Sequence, residues 1–237
     1  MGIFDKLFRK RITERPTLIE ALEGIDRKDL EFKKPEANEK WVQSGLQEFY
    51  SIKVSQDLES FINKYTSEKL QTIIRAVDLQ GLATHHNPWG TGSYHRTKVL
   101  ELSRWLRKKE KWLDAEVCDE KLMEMLKWNN DTITPSDFLL LYDLAKDMMG
   151  YARDADKMVL GVDYSERKMN QALQVFDKLC LHASSGSEGY IDALAWKGAC
   201  YLNLKNNEKA KETFQMVLNY DPNHKMAKEV MDYFKKG

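Results

Sequence analysis

The sequence predicts an all-α fold, and three observations lead there. Apolar residues recur at intervals of three and four along most of the chain, which is the period of one helix face. Charged residues make up 31% of the 237 positions, with only 5 prolines and 12 glycines. That balance suits solvated helices better than a β-sandwich or a disordered chain. A chain of this length can bury a full core in one or two domains. The expected organisation is an amphipathic segment over 1–12, an irregular helical half over 13–130, and a helical-repeat region over 131–237 that ends in a capping helix.

The bulk charge narrows the partners. Lys plus Arg number 37 and so do Asp plus Glu, so no net field draws the chain to nucleic acid, and no nucleic-acid partner is expected. Cys118, Cys180 and Cys200 are odd in number, widely spaced and set among apolar residues. A reduced, cytoplasmic compartment is the economical reading. No apolar run approaches the roughly 20 residues of a bilayer span, and the first ten residues alternate apolar and charged instead of forming a signal-peptide core.

Met1–Arg11 places Ile3, Phe4, Leu7 and Phe8 on one face of a short helix and Lys6, Arg9, Lys10 and Arg11 on the other, the pattern of a helix lying in a membrane surface. Each buried apolar side chain contributes about 1.5–3 kcal/mol and each nearby base about 1 kcal/mol at an anionic leaflet. Ordering so short a helix offsets much of this, so a weak, reversible peripheral attachment is expected. The alternative is that Phe4 and Phe8 dock on the protein's own body or on a second subunit. Lys6 stands where N-myristoylation after Gly2 needs Ser or Thr. Thr17–Glu20 has capping-box spacing for a helix ending near Gly24, and the charged stretch from Ile25 to Asn38, interrupted by Pro35, is a connector.

A helix is expected from near Glu39, carrying Trp41, Val42, Leu46, Phe49 and Tyr50, with a short extended break over Tyr50–Val54 where the pattern alternates. Ser55 and Ser67 are expected N-caps of helices carrying Leu58, Phe61, Ile62 and Tyr65, then Leu70, Ile73, Ile74, Val77 and Leu79. Gly81–Arg96 has loop composition and holds His85, His86 and His95 beside Trp89 and Tyr94. Three histidines suggest zinc, but adjacent histidines rarely share an ion and no helical His-x-x-x-His supports them. Gly90–Ser93 lacks the Gly-Lys-Ser/Thr ending of a phosphate loop. An inter-helix loop is expected, with Trp89 and Tyr94 forming a second contact surface.

Val99, Leu102, Trp105 and Leu106 form one apolar stripe, and Trp112, Leu113, Ala115 and Val117 open the next. The run Arg107–Lys111 between them is expected as a charged turn, and Asp114, Glu116, Asp119 and Glu120 complete a solvated helix–turn–helix. After a polar break at Trp128–Asp131, Thr134-Pro135-Ser136-Asp137 signals a helix start. Phe138, Leu139, Leu140, Leu141, Leu144, Met148 and Met149 then make a broad apolar helix. Gly161–Ser165 leads into a helix with Ala172 and Phe176, and Ala183–Gly189 forms a loop. His182 and His224 are expected at helix ends where an imidazolium favours the dipole.

From Ile191 to His224 two helical stretches flank the turn Leu204–Asn207. Gly198, Tyr201, Ala210, Phe214 and Pro222 fall in an order that lets two antiparallel helices approach closely before Pro222 ends the second. This stretch resembles a tetratricopeptide repeat, a helix–turn–helix unit that stacks into solenoids. Ala172 and Phe176 repeat the second-helix pair, with Leu160 where a small partner would stand. Trp112-x-x-Ala115 also resembles a second helix, except that Asp119 replaces the aromatic. Asp221-Pro222-Asn223 then opens a capping helix with Val230, Met231 and Phe234 buried. The resemblance implies a protein- or peptide-binding role, with Asp192, Ala195, Ala199, Leu202 and Asn203 lining a concave groove. Family members that clamp a C-terminal carboxylate carry Lys, Arg and Asn there, where this chain has Ala195 and Ala199.

No Gly-x-Ser-x-Gly elbow, dinucleotide fingerprint or zinc-type cysteine pair is present. The carboxylates stand beside Lys and Arg on amphipathic faces and are expected as solvated, ion-paired surface, with no acid–base pair in apolar surroundings. The expectation is therefore a non-catalytic adaptor or regulator without cofactor or metal. Two alternatives are a small helical inhibitor or immunity-type protein using loop 81–96, and a metal-dependent hydrolase using His85, His86 and His95.

Overall fold

The computed structural model describes residues 39–53, 55–80, 92–127, 133–154 and 161–236. Every regular element among them is helical, with no strand, so the fold is all-α. The elements are α1 (Lys40–Ser51), α2 (Ser55–Lys64), α3 (Ser67–Ala76), α4 (Gly92–Lys108), α5 (Trp112–Met123) with a 3-10 turn over Glu124–Lys127, α6 (Pro135–Asp154), α7 (Gly161–His182), α8 (Glu188–Asn203), α9 (Asn207–Tyr220) and α10 (Lys225–Lys236). None of them is long and apolar enough to cross a membrane. The expectations at Ile3, Phe4, Leu7, Phe8, Thr17, His85, His86, Trp89, the break after Lys127 and Leu160 lie outside the described residues.

Helical spacing puts Val42, Leu46, Phe49 and Tyr50 on the buried side of α1. Gly45 lies on that side too, and a Cβ there would collide with Ile73 of α3. The expected extended break over Tyr50–Val54 starts two residues late: α1 runs to Ser51, Ile52 turns to φ −59° and ψ 124°, and Lys53 is non-helical before α2, while the Ile52 N–H returns to Phe49 O at 3.3 Å. Two residues of α4 hold this end. The Tyr94 hydroxyl donates to Ile52 O at 2.9 Å, and Lys98 Nζ donates to Phe49 O and Tyr50 O at 2.9 and 2.8 Å. Ser55 is the first residue of α2. Ser67 does not cap α3, since Thr66 occupies the cap position. Instead Ser67 and Gln71 both donate to the buried Asp114 of α5. The loop expected to extend to Arg96 ends earlier, because α4 begins at Gly92 and takes Tyr94, His95 and Arg96 into its first turns. Their spacing to Lys98 and Val99 puts Tyr94 and His95 against α1.

α1 packs on α3, α3 on α5, α2 on α4, and α4 on both α5 and α6. From α6 onward each helix packs on the next through α10, and buried residues from both halves belong to one hydrophobic cluster. Pro135 opens α6 as expected, with the Asp137 N–H donating to Thr134 Oγ1 at 3.2 Å. Ser187 and Asn206 cap α8 and α9, accepting from the N–H groups of Tyr190 and Lys209. The three cysteines are free. Burial pushes the thiols of Cys180 and Cys200 up to about 11 and about 12, so both stay protonated at neutral pH.

Three details depart from the sequence pattern. Leu113 and Leu139 are exposed, because each sits one residue off its helix's buried stripe. His224 precedes α10 and its Nδ1 accepts the Ala227 N–H at 3.3 Å. It therefore caps the positive end of a helix dipole as an acceptor, where an imidazolium would not help.

The α8–α9 pair is as tight as the small residues suggest. A Cβ at Gly198 would stand 3.1 Å from the Phe214 ring, and Phe214 and Ala210 are fully buried. Phe214→Ala should cost about 3–5 kcal/mol in urea denaturation, and Gly198→Val should also destabilise. A Phe214→Ala loss below about 1 kcal/mol would contradict this packing.

Candidate functional site

Among the described residues, a polar cluster spanning three helices is buried. On α4, Ser103 and Arg107 lie one turn apart on the face that carries Leu102 and Leu106. On α5, Glu116 and Asp119 flank Ala115 and Leu122. On α7, Lys168 stands one turn before Ala172 and two before Phe176, inside the buried stripe. All five polar residues are buried, which corrects the expectation that Arg107 belongs to a solvated turn and that Asp114, Glu116 and Asp119 face water. Only Glu120 of that acidic run is exposed. The expectation of no acid–base group in apolar surroundings is corrected with it.

The geometry explains why burial is tolerated. Arg107 Nη2 reaches Glu116 Oε1 at 2.8 Å and Asp119 Oδ2 at 2.5 Å. Lys168 Nζ reaches Glu116 Oε2 at 2.7 Å and Asp119 Oδ2 at 2.8 Å. The Tyr164 hydroxyl donates to Glu116 at 2.7 Å, Ser103 Oγ donates to Asp119 Oδ1 at 2.7 Å, and the Tyr151 ring lies 3.5 Å from the guanidinium carbon. Arg107 and Lys168, with the half-exposed Arg167 3.7 Å from Glu116 Oε2, thus neutralise the two carboxylates. Burial opposes the charged form of Glu116, but Lys168, Tyr164 and Arg107 outweigh it and hold the carboxyl below its ordinary value. Burial likewise opposes charge on Arg107, and Asp119, Tyr164 and Glu116 reverse the effect. Most of the polar groups pair with one another across α4, α5 and α7, although Arg107 Nε and Glu116 Oε2 lack a hydrogen-bond partner among the described residues, and the cluster joins the two halves of the chain.

This joint occupies the place that an aromatic contact fills in α8–α9. In both hairpins a small first-helix residue meets a second-helix residue sixteen positions on: Ser103 with Asp119, and Gly198 with Phe214. The connecting turns match as well. Glu110 and Lys205 both take positive φ, 59° and 61°, and the following N–H groups reach back to Leu106 O and Tyr201 O, each at 2.9 Å. In each hairpin the positive-φ residue lies five positions before a fully buried alanine, Ala115 or Ala210.

His95 and Lys98 form a second buried polar site where α4 meets α1. The His95 ring lies 4.4 Å from that of Tyr50, and neither of its nitrogens has a hydrogen-bond partner among the described residues. Burial, then Lys98, pushes His95 down to about 4, against a smaller opposing pull from Asp78. Burial pushes Lys98 down to about 8. Among the described residues no cluster of three His, Cys, Asp or Glu side chains is arranged for a metal ion. His95 faces Tyr50 and a lysine, surroundings that suit a neutral ring.

The expected partner-binding residues divide. Ala195 and Ala199 belong to the buried core, so they form the floor of their face and not its contact layer. Asp192 and Leu202 are half-buried, and Asn203 is exposed, with its Nδ2 donating to Ala199 O at 2.7 Å. Tyr94 is partly exposed, but its hydroxyl is committed to Ile52 and its ring lies 4.4 Å from Lys98 Nζ. The sequence reading missed the neighbours of Asp192. Phe138 of α6 packs against Gly189 of α8, and Lys146 Nζ lies 5.3 Å from the Tyr142 ring and 5.1 Å from the Trp196 ring. Phe138, Tyr142 and Lys146 stand at four-residue intervals, but nothing local pairs that stripe with Trp196.

Lys168→Met should cost about 3–5 kcal/mol by leaving Glu116 and Asp119 with one buried cation between them. Urea unfolding measures it, and a loss below about 1 kcal/mol would make the joint dispensable. For His95, the folded state binds a proton only near pH 4 while the unfolded chain binds one near 6.5. Stability should therefore fall as pH drops through that window. His95→Phe should remove about 1–3 kcal/mol of that acid sensitivity, and parallel urea midpoints at pH 7 and 4.5 for the two chains would refute it.

Comparisons with protein-family models, with curated proteins and with solved structures give no match, so the functional reading rests on the residues described above.

Proposed function

We propose that this chain is a non-catalytic adaptor or regulator, built on helical hairpins of the tetratricopeptide kind, that binds a protein or peptide on the face of α8. The observation that carries the reading is the match between α4–α5 and α8–α9, which share a turn and a small-residue contact at one spacing. Repetition of a hairpin whose members bury their flanks against neighbours leaves long helix faces for a partner. Asp192, Leu202 and Asn203 offer polar and apolar contacts above the Ala195–Ala199 floor. The buried charges of α4, α5 and α7 are occupied with one another, which fits a scaffold role for them.

Affinity capture with the full chain, quantified by mass spectrometry, tests this reading. Asp192→Arg and Asn203→Arg each change the surface without entering the core, so far-ultraviolet circular dichroism should stay as in the parent. Each should lower recovery of the specific partner about tenfold, the equivalent of about 1.4 kcal/mol at one contact. Undiminished recovery by both variants would move the contact off this face.

A further inference from the structure

Tyr142 of α6 and Trp196 of α8 share a side-chain hydrogen bond, and the chain supplies a cation to both. Lys146, one turn after Tyr142, places Nζ over the two rings, yet the lysine is itself exposed. A cation held by ring faces at an exposed site is weakly bound and can swing into water, and the same contact strengthens when a covering partner excludes water. Two carboxylates border the phenol, Asp143 on α6 and Asp192 on α8. Asp143 is already shared with Arg104, at 3.6 Å. Asp192, one turn before Trp196, makes no ion pair among the described residues. Glu188 lies a further turn toward the start of α8 and is exposed.

We propose that the α6–α8 face docks a basic peptide segment, one arginine or lysine of which replaces Lys146 over Tyr142 and Trp196 and pairs with Asp192. The inference rests on the binding role proposed above and names the chemistry of the partner. The rings are placed to hold a cation, as Lys146 demonstrates from within the chain. With Asp143 shared with Arg104, the border still favours a positive ligand, because Asp192 and the exposed Glu188 carry no ion pair among the described residues and outnumber Lys146. Arginine suits the site better than lysine, since its planar guanidinium stacks on an aromatic face and can also bond a carboxylate edge-on.

The test uses the full chain and a fluorescein-labelled peptide of three arginines separated by glycine pairs, followed by fluorescence anisotropy. Matched peptides carry citrulline or glutamate in place of arginine. The arginine peptide should bind, and the citrulline peptide, which keeps the shape but loses the charge, should bind about tenfold more weakly. Asp192→Asn should weaken arginine-peptide binding about fivefold, and Lys146→Ala should leave it equal or tighten it by removing the internal competitor. Equal binding of the arginine and citrulline peptides would overturn the proposal. So would the absence of arginine-peptide binding at millimolar concentration, or glutamate-peptide binding that Lys146→Ala abolishes. If the basic peptide fails while captured partner is still lost in Asp192→Arg and Asn203→Arg, the face binds something of other chemistry. The adaptor reading would then stand without this inference.

Discussion

Buried charge must be paired, and that requirement fixes how the helices of this protein meet. Arg107, Glu116, Asp119 and Lys168 come from three helices, and each is almost removed from water. Taking any one of these charges out of water alone costs several kcal/mol. The cost is met only when α4, α5 and α7 converge with their polar groups in one arrangement. Apolar side chains would tolerate small slips between helices, whereas this set of donors and acceptors does not. A joint of this kind is a poor source of net stability and a strong source of register.

The same position in the hairpin is solved twice by different chemistry. In α8–α9 a glycine lets the Phe214 ring lie against the opposing backbone, and dispersion plus apolar burial hold the pair. In α4–α5 a serine faces an aspartate, and the contact becomes a hydrogen bond inside an ionic cluster. The aspartate then needs cations, which arrive from Arg107 on its own hairpin and from Lys168 of α7. That dependence links the early helices to the later ones, and buried residues from both belong to one hydrophobic cluster.

On the surface the consequences run the other way. α6 and α8 bury alanines and leucines inward and present Tyr142, Lys146, Asp192 and Trp196 outward. In the proposed docking, the half-buried rings are the platform and Lys146 is the occupant that a ligand cation displaces. Rigid aromatic groups lose little conformational entropy on binding, which is why they anchor interfaces. The buried alanines set the depth of this face, and the polar residues beside them set its charge.

Much of this was legible in the sequence. The three- and four-residue periodicity located the helices, Thr134-Pro135 marked the start of α6, and Gly198 with Phe214 announced a close helix pair, because each of these signals is local. Spacing also puts Lys168 in line with Ala172 and Phe176, a signal of a lysine in a buried stripe that the expectations above did not use. What local spacing could not decide was which charges leave water. Arg107 and Asp119 look like solvated surface until Lys168, forty-nine residues on from Asp119, neutralises the group. The partnership of Tyr142 with Trp196, and the commitment of Ser67 to Asp114 instead of to a helix cap, are long-range in the same way. Hydrophobic period is written into each segment, but the pairing of polar groups is chosen only when distant helices are brought together, since the energy of a charge depends on its neighbours and not on its own place in the chain.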